Sequence, residues 1–155
     1  IGRDEYPDIE LEMLYADNAS YQLIQQPTRF DVILGDNLFG DLFSDLAGTI
    51  SGSLGMLPSA SLPGFSSAVE GLGTAIYEPV HGSAFELIGK GEVNPLATII
   101  AGAMMIEFLG EKDTGARIRK AVAANLRESD IRTPDIGGSA STSQVGDDIA
   151  GRVAG

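Results

Sequence analysis

The sequence predicts an α/β fold in which helices dominate and strands are few and short. Three observations carry this. Apolar residues recur at spacings of three and four along several stretches, the mark of helices that bury one face. The short run Phe30-Asp31-Val32-Ile33-Leu34 is apolar and β-branched, as a buried strand would be. A nearly continuous apolar stretch opens on Asn94-Pro95 and closes at Gly110, with the terminal chemistry of a single buried helix.

In chain order, Ile9 to Gln25 reads as a helix with Leu11, Leu14, Tyr15, Asn18, Tyr21 and Ile24 as its partly apolar stripe, ended by Pro27. The strand at Phe30–Leu34 and a tight turn at Gly35-Asp36-Asn37 lead into a helix carrying Asp41 and Asp45. Gly48 to Gly55 is rich in Gly and Ser, which predicts irregular chain or a strand with close backbone approach. Leu57 to Gly73, broken by Pro58, Pro63, Gly64, Gly71 and Gly73, predicts mostly loop. Thr74–Tyr77 suits a short strand. The helix opened by Asn94-Pro95 runs to about Leu109, apolar nearly all round and therefore buried, with Met104 and Met105 as core filler. Thr114 is placed to cap a helix to about Arg127 bearing Ile118, Val122 and Leu126. Thr142 is placed to cap a last helix bearing Val145, Ile149 and Val153.

The chain has 155 residues, 43% of them hydrophobic and 21% charged, which suits one modest domain. Its net charge of −12 argues against nucleic-acid binding, which asks for a basic patch. With no cysteine, disulfides, thiolate catalysis and cysteine–zinc sites are excluded. This composition fits a reducing compartment, and a cytoplasmic location is expected. No apolar run is long enough to span a membrane, and no signal peptide is visible. The chain begins at Ile1 rather than a methionine, which suggests a fragment, a processed product or a trimmed chain.

Three blocks carry candidate chemistry. In the first, Asp36-Asn37-Leu38-Phe39-Gly40-Asp41-Leu42-Phe43-Ser44-Asp45, a helix puts the Asp41 and Asp45 Cβ atoms about 6 Å apart on one face. Carboxylates so close repel unless a cation lies between them, and a hard divalent ion is the natural partner. The alternative is a solvated acidic face, although the surrounding Leu and Phe residues suggest that the aspartates are only partly exposed. The second block, Gly52 to Leu62, lets a ligand or a second backbone come close, or simply makes a turn. The third is Glu78-Pro79-Val80-His81-Gly82-Ser83-Ala84, followed by Gly89-Lys90-Gly91 and Asn94-Pro95. His81, the only histidine, is either structural or a nucleotide contact. The N–H groups of Gly82, Ser83 and Ala84 suit phosphate oxygens. The block matches neither the G-x-G-x-x-G fingerprint nor the P-loop, and no Ser-His-Asp hydrolase signature is present.

The three blocks in this order, with the tail Ile131-Arg132-Thr133-Pro134-Asp135-Ile136-Gly137-Gly138-Ser139, resemble the C-terminal part of the β-decarboxylating dehydrogenases. This family includes the 3-isopropylmalate, isocitrate, homoisocitrate and tartrate/D-malate enzymes. Asn37 to Asp45, Gly52 to Leu62 and the tail are most similar to its isopropylmalate branch. The similarity covers essentially the whole chain. It implies a two-domain α/β fold, with residues 1–49 in the second, dimer-forming, metal-site domain and 50–155 completing the first, cofactor-binding domain.

The resemblance also implies roles. Asp41 and Asp45 match the aspartates that bind Mg²⁺ or Mn²⁺. Asp17, in Tyr15-Ala16-Asp17-Asn18, matches a third aspartate given to the neighbouring subunit's site, so a homodimer with a shared active site is implied. Asp41 and Asp17 stand at the catalytic centre by this match. The substrate is a 2-hydroxy diacid, whose hydroxyl the metal acidifies before CO₂ departs. Glu78, His81, Gly82, Ser83, Ala84 and Asn94 match the loop that holds the adenosine half of the cofactor. Glu86 stands where NAD-using members carry an aspartate, and a carboxylate there accepts from the ribose hydroxyls and repels the 2′-phosphate of NADP.

There are departures from the family pattern. Phe85 replaces a usual proline and Ile88 a usual alanine, and Pro63–Thr74 is longer than in many members. The family's substrate-gripping arginines and its catalytic tyrosine and lysine have no match here. Tyr6, Tyr15, Tyr21, Tyr77, Lys90, Lys112 and Lys120 all fall outside those motifs. The expectation is therefore the C-terminal half of an NAD- and metal-dependent 3-isopropylmalate dehydrogenase-like enzyme of leucine biosynthesis. Alternatives are a tartrate/D-malate or homoisocitrate dehydrogenase, or a non-catalytic nucleotide-binding remnant or regulatory subunit.

Overall fold

The computed structural model describes residues 2–63 and 73–155, so most of the Pro63–Thr74 segment lies outside the described residues. The architecture is α/β with helices dominant. The chain forms two compact units, Ile1–Ile50 and Ser51–Gly155.

The first unit contains α1 (Gly2–Glu5), α2 (Ala16–Gln25) and most of α3 (Asn37–Ser51). A short 3₁₀ turn at Pro27–Arg29 stops α2 where Pro27 was expected to. The helix is shorter than the sequence predicts, however. Residues 10–15 carry no regular structure, and the buried face is Ala19 and Leu23 rather than the Tyr21/Ile24 stripe. Those two side chains pack with Phe43 of α3, flanked by Leu14, Phe30, Leu46 and Ala47. The small Ala19 allows the close approach, while Tyr21 and Ile24 stay exposed. Asp36 caps α3, its Oδ1 accepting from the Phe39 N–H at 3.1 Å.

The expected strand at Phe30–Leu34 is absent. Val32 is 87% and Leu34 97% exposed. A strand needs a neighbour to bond with, and among the described residues this run pairs with none.

The second unit holds β1 (Pro58–Ser61), β2 (Ile76–Pro79), α4 (Leu96–Phe108), α5 (Lys112–Glu128) and α6 (Thr142–Ala154). β1 falls where loop was expected. It runs antiparallel to β2, with Pro58 opposite Pro79 and Ser61 opposite Ile76. Two prolines at the end of a two-stranded ribbon cost little, because their missing N–H groups are not needed by a further strand. The strand expected at Thr74–Tyr77 begins two residues later, at Ile76.

α4 matches its cap signals. The Asn94 Oδ1 accepts from the Leu96 N–H at 3.0 Å, and Gly110 adopts φ +101° just past the helix end. Leu96, Ala97, Ala101 and Ala103 are buried, but the helix is not buried all round. Met105 is exposed, and Ile99, Gly102 and Ile106 line an apolar groove with Ile149 and Val153 of α6. Leu96, Ala121, Val122, Val145 and Ile149 form the core of this unit.

Two cap assignments change. Thr114 lies inside α5, because the left-handed turn at Gly110 starts that helix at Lys112. For α6 the cap is Ser141. Its Oγ accepts from the Gln144 N–H while Gln144 Oε1 accepts from the Ser141 N–H, a reciprocal box.

A polar network joins α5 to α6. The buried Asn125 donates to Asp148 Oδ2 at 2.9 Å and to the Ile131 carbonyl at 3.1 Å. Arg152 Nε donates to the same Asp148 oxygen at 2.6 Å. The Arg152 bond first, then that of Asn125, holds the Asp148 carboxyl below its ordinary range against the opposing effect of burial. A depressed folded-state pKa contributes stability that is present above the unfolded pKa and lost as pH falls through the folded one. This unit is therefore expected to weaken below about pH 4. Urea melts of the native chain and Asp148→Asn at pH 7 and pH 3 check this: the variant should lose less stability on acidification.

Candidate functional site

The exposed face of α3 carries Asp41 and Asp45 together with Leu38 and Leu42, at the spacing that stacks residues on one side of a helix. Phe43 and Gly48 take the buried side. The flanking apolar residues do not cover the aspartates, contrary to the expectation from composition: both carboxylates are exposed. Asp41 Oδ2 accepts one long bond from Asn37 Nδ2 at 3.5 Å. Among the described residues no lysine or arginine forms an ion pair with either aspartate.

Two uncompensated carboxylates four residues apart, with oxygen as the only donor, fit a hard divalent ion completed by further oxygen ligands. Asp17 lies in the first turn of α2, exposed, with Oδ1 accepting from the Asn18 N–H at 2.8 Å. Among the described residues no three His, Cys, Asp or Glu side chains converge to hold a metal. Asp17 is thus not brought to Asp41 and Asp45 within one chain.

The second group lies on the loop between β2 and α4. Glu78, on β2, is exposed and sits opposite Ser59. His81 is half-buried, with Nδ1 3.0 Å from the Gly82 carbonyl oxygen. Gly82 and Ser83 are exposed, Ala84 half-buried and Glu86 exposed. Space is open around Gly82, where an added Cβ would meet nothing within 4 Å. Phe85 and Ile88, the two departures from the family pattern, project outward, 78% and 69% exposed.

Ala84 has φ +41° and ψ +55°, the one positive φ outside glycine among the described residues. That conformation costs an ordinary side chain roughly 1–2 kcal/mol, and such strain gathers at functional loops. No local signal announces it, since alanine is not a residue that favours this region. An exposed glutamate, open backbone near Gly82 and Ser83, and a turned chain at Ala84 fit a nucleotide lying along this loop.

Asn94 differs from the rest in being 4% exposed. Its Oδ1 caps α4, and its Nδ2 donates to Asp135 Oδ2 at 3.0 Å. Asp135 Oδ2 also accepts from Ser53 Oγ at 2.5 Å. Burial pushes the Asp135 carboxyl up, but the bonds donated by Ser53 and Asn94 bring it below the usual range. Gly55 must be glycine beside this hub, because a Cβ there would lie 2.7 Å from Asn94 Cβ. The close approach expected of the Gly52–Leu62 block is therefore to the chain's own Asn94 and Asp135 side chains at this point. In the sequence Asp135 stands out only as part of the tail and Ser53 only as part of a small-residue run.

The profile of the isocitrate/isopropylmalate dehydrogenase family matches residues 1–149. The chain belongs to this family. It is 50% identical over 146 residues to 3-isopropylmalate dehydrogenase of Zymomonas mobilis, covering 94% of this chain and 40% of that relative. The crystal structure of isocitrate dehydrogenase from Methylococcus capsulatus superposes with a TM-score of 0.88 at 40% identity, over 99% of this chain and 44% of that one. A β-decarboxylating dehydrogenase from Thermococcus kodakarensis superposes at 0.79 with 38% identity, over 96% of this chain and 41% of that one. The chain thus spans about two fifths of the length of the curated relatives it matches. Membership agrees with the α/β class read from the sequence. No helix among the described residues is long and apolar enough to cross a membrane.

Proposed function

We propose that this chain carries the metal- and cofactor-binding residues of a cytoplasmic, NAD-dependent enzyme that oxidises and decarboxylates 3-isopropylmalate in leucine biosynthesis. The observation that carries the reading is the 50% identity to a 3-isopropylmalate dehydrogenase over 94% of the chain. The unpaired Asp41/Asp45 face supports it. These carboxylates bind Mg²⁺ or Mn²⁺, with Asp17 reaching the site from a second copy of the chain in a homodimer. Once bound, the ion would supply Lewis-acid polarisation at the substrate's 2-hydroxyl.

The chain's own residues hold the ion and seat the cofactor. Asp41, Asp45 and Asp17 supply the carboxylate oxygens that hold the ion. Glu78, His81 and the Gly82–Ala84 backbone seat the adenosine half of NAD. The exposed Glu86 carboxylate accepts from the ribose hydroxyls and repels a 2′-phosphate.

Reduced-cofactor formation with Mn²⁺ tests the reading, using this chain joined to the N-terminal half of a family member, which supplies the arginines, tyrosine and lysine that have no match here. 3-Isopropylmalate, tartrate, D-malate and isocitrate should each be offered with NAD and, separately, with NADP. Turnover is expected with 3-isopropylmalate and NAD. Turnover confined to NADP would overturn the role of Glu86. NADH binding with no turnover of any substrate would favour a nucleotide-binding remnant instead.

A further inference from the structure

The downstream end of the β2–α4 loop is tied at three points to a single segment elsewhere in the same unit. The Thr142 N–H donates to the Gly91 carbonyl at 2.8 Å. The Thr142 Oγ1 donates to the Val93 carbonyl at 2.5 Å. The Asn94 amide donates to Asp135 at 3.0 Å, and Asp135 is itself held by Ser53. At the other end the loop leaves β2 with the Val80 N–H bonded to the Leu57 carbonyl at 3.0 Å. Between these ends His81 to Ile88 is held by short-range bonds such as Leu87 N–H to the Ala84 carbonyl at 2.8 Å. The position of the exposed middle therefore follows from the two anchored ends.

Thr142 is not needed to cap its own helix, because Ser141 and Gln144 do that. Its hydroxyl is committed to the loop instead. The Asn94 side chain is likewise committed to α4 and Asp135.

We infer that Asp135 and Thr142 are positioning residues that clamp the end of the cofactor loop through Asn94, Val93 and Gly91. The inference rests on reading this loop as the NAD site. A loop fixed before the cofactor arrives pays less ordering cost on binding. Each lost bond should therefore weaken NADH binding about three- to tenfold, the equivalent of one net hydrogen bond.

The test uses Thr142→Val and Asp135→Asn, which keep shape while removing a donor or a charge, with Thr142→Ser as the conservative rescue. NADH affinity is read by fluorescence titration, and amide hydrogen exchange is read by residue in the absence of cofactor. The expected result is faster exchange across Gly82–Asn94 with α6 unchanged, weaker NADH binding in Thr142→Val and Asp135→Asn, and near-native behaviour of Thr142→Ser. Unchanged exchange in the loop, equal acceleration throughout α6, or unaltered NADH affinity in both variants would each overturn the inference. If the native chain binds no NADH but loop exchange still rises in the variants, the clamp stands and the cofactor reading is what fails.

Discussion

Replacing Gly138 with alanine should lower the unfolding midpoint of the second unit by about 5–15 °C, as expected for overpacking at a rigid contact. A Cβ at this position would lie 2.0 Å from the Arg132 carbonyl oxygen and 2.4 Å from its carbon. Both are backbone atoms, so no side-chain rotation relieves the contact. Nor can the local chain shift freely, because the Gly138 N–H bonds the Thr133 carbonyl and the Ala140 N–H bonds the Arg132 carbonyl at 2.8 Å. Gly146→Ala is the matched control. A Cβ there meets nothing within 4 Å, it lies inside α6, and alanine is the better helix former by about 1 kcal/mol. Calorimetry on the two variants should show midpoints moving in opposite directions. A Gly138→Ala midpoint equal to that of the native chain would mean that the 132–140 turn yields far more easily than its bonding suggests.

The second large effect concerns the α3 carboxylates. Like charges four residues apart destabilise a helix by a few tenths of a kcal/mol when nothing offsets them. In EDTA, Asp41→Asn and Asp45→Asn are therefore expected to leave stability unchanged or slightly raised. Adding Mn²⁺ should reverse the order. A native chain that binds the ion gains about 2.7 kcal/mol when free Mn²⁺ is a hundred times the dissociation constant, and the variants should gain little. The reversal separates a metal site from a solvated acidic face, on which Mn²⁺ would shift all three proteins alike. Thermal melts in the two buffers decide between them.

What the sequence revealed followed the range of the interactions involved. α4 could be read closely because Asn94, Pro95 and Gly110 act on their immediate neighbours. The Asp41/Asp45 pair was legible because a helix fixes what residues four apart do. Their exposure was not, since it depends on which side of α3 meets Leu23 and Ala19. The Phe30–Leu34 run has the composition of a strand, but a strand is a property of two segments. β1 was hidden in a proline-broken stretch for the same reason: its partner, β2, supplies the order. The Ser53–Asp135 bond joins residues 82 apart in sequence, and neither residue type at its position announces the other. Ser141 and Thr142 could each cap a helix, and only the path of the β2–α4 loop assigns one hydroxyl inward to its own helix and the other across to Val93.

That division of work between adjacent hydroxyls carries an evolutionary constraint. Asp135 and Thr142 grip the same stretch of loop from the two ends of one short connection. An inserted or deleted residue between them would pull one grip away from its partner while leaving every side chain chemically intact. Lineages should therefore vary the residue types of this connection more readily than its length. An exception in length would have to arrive together with a new way of holding Asn94.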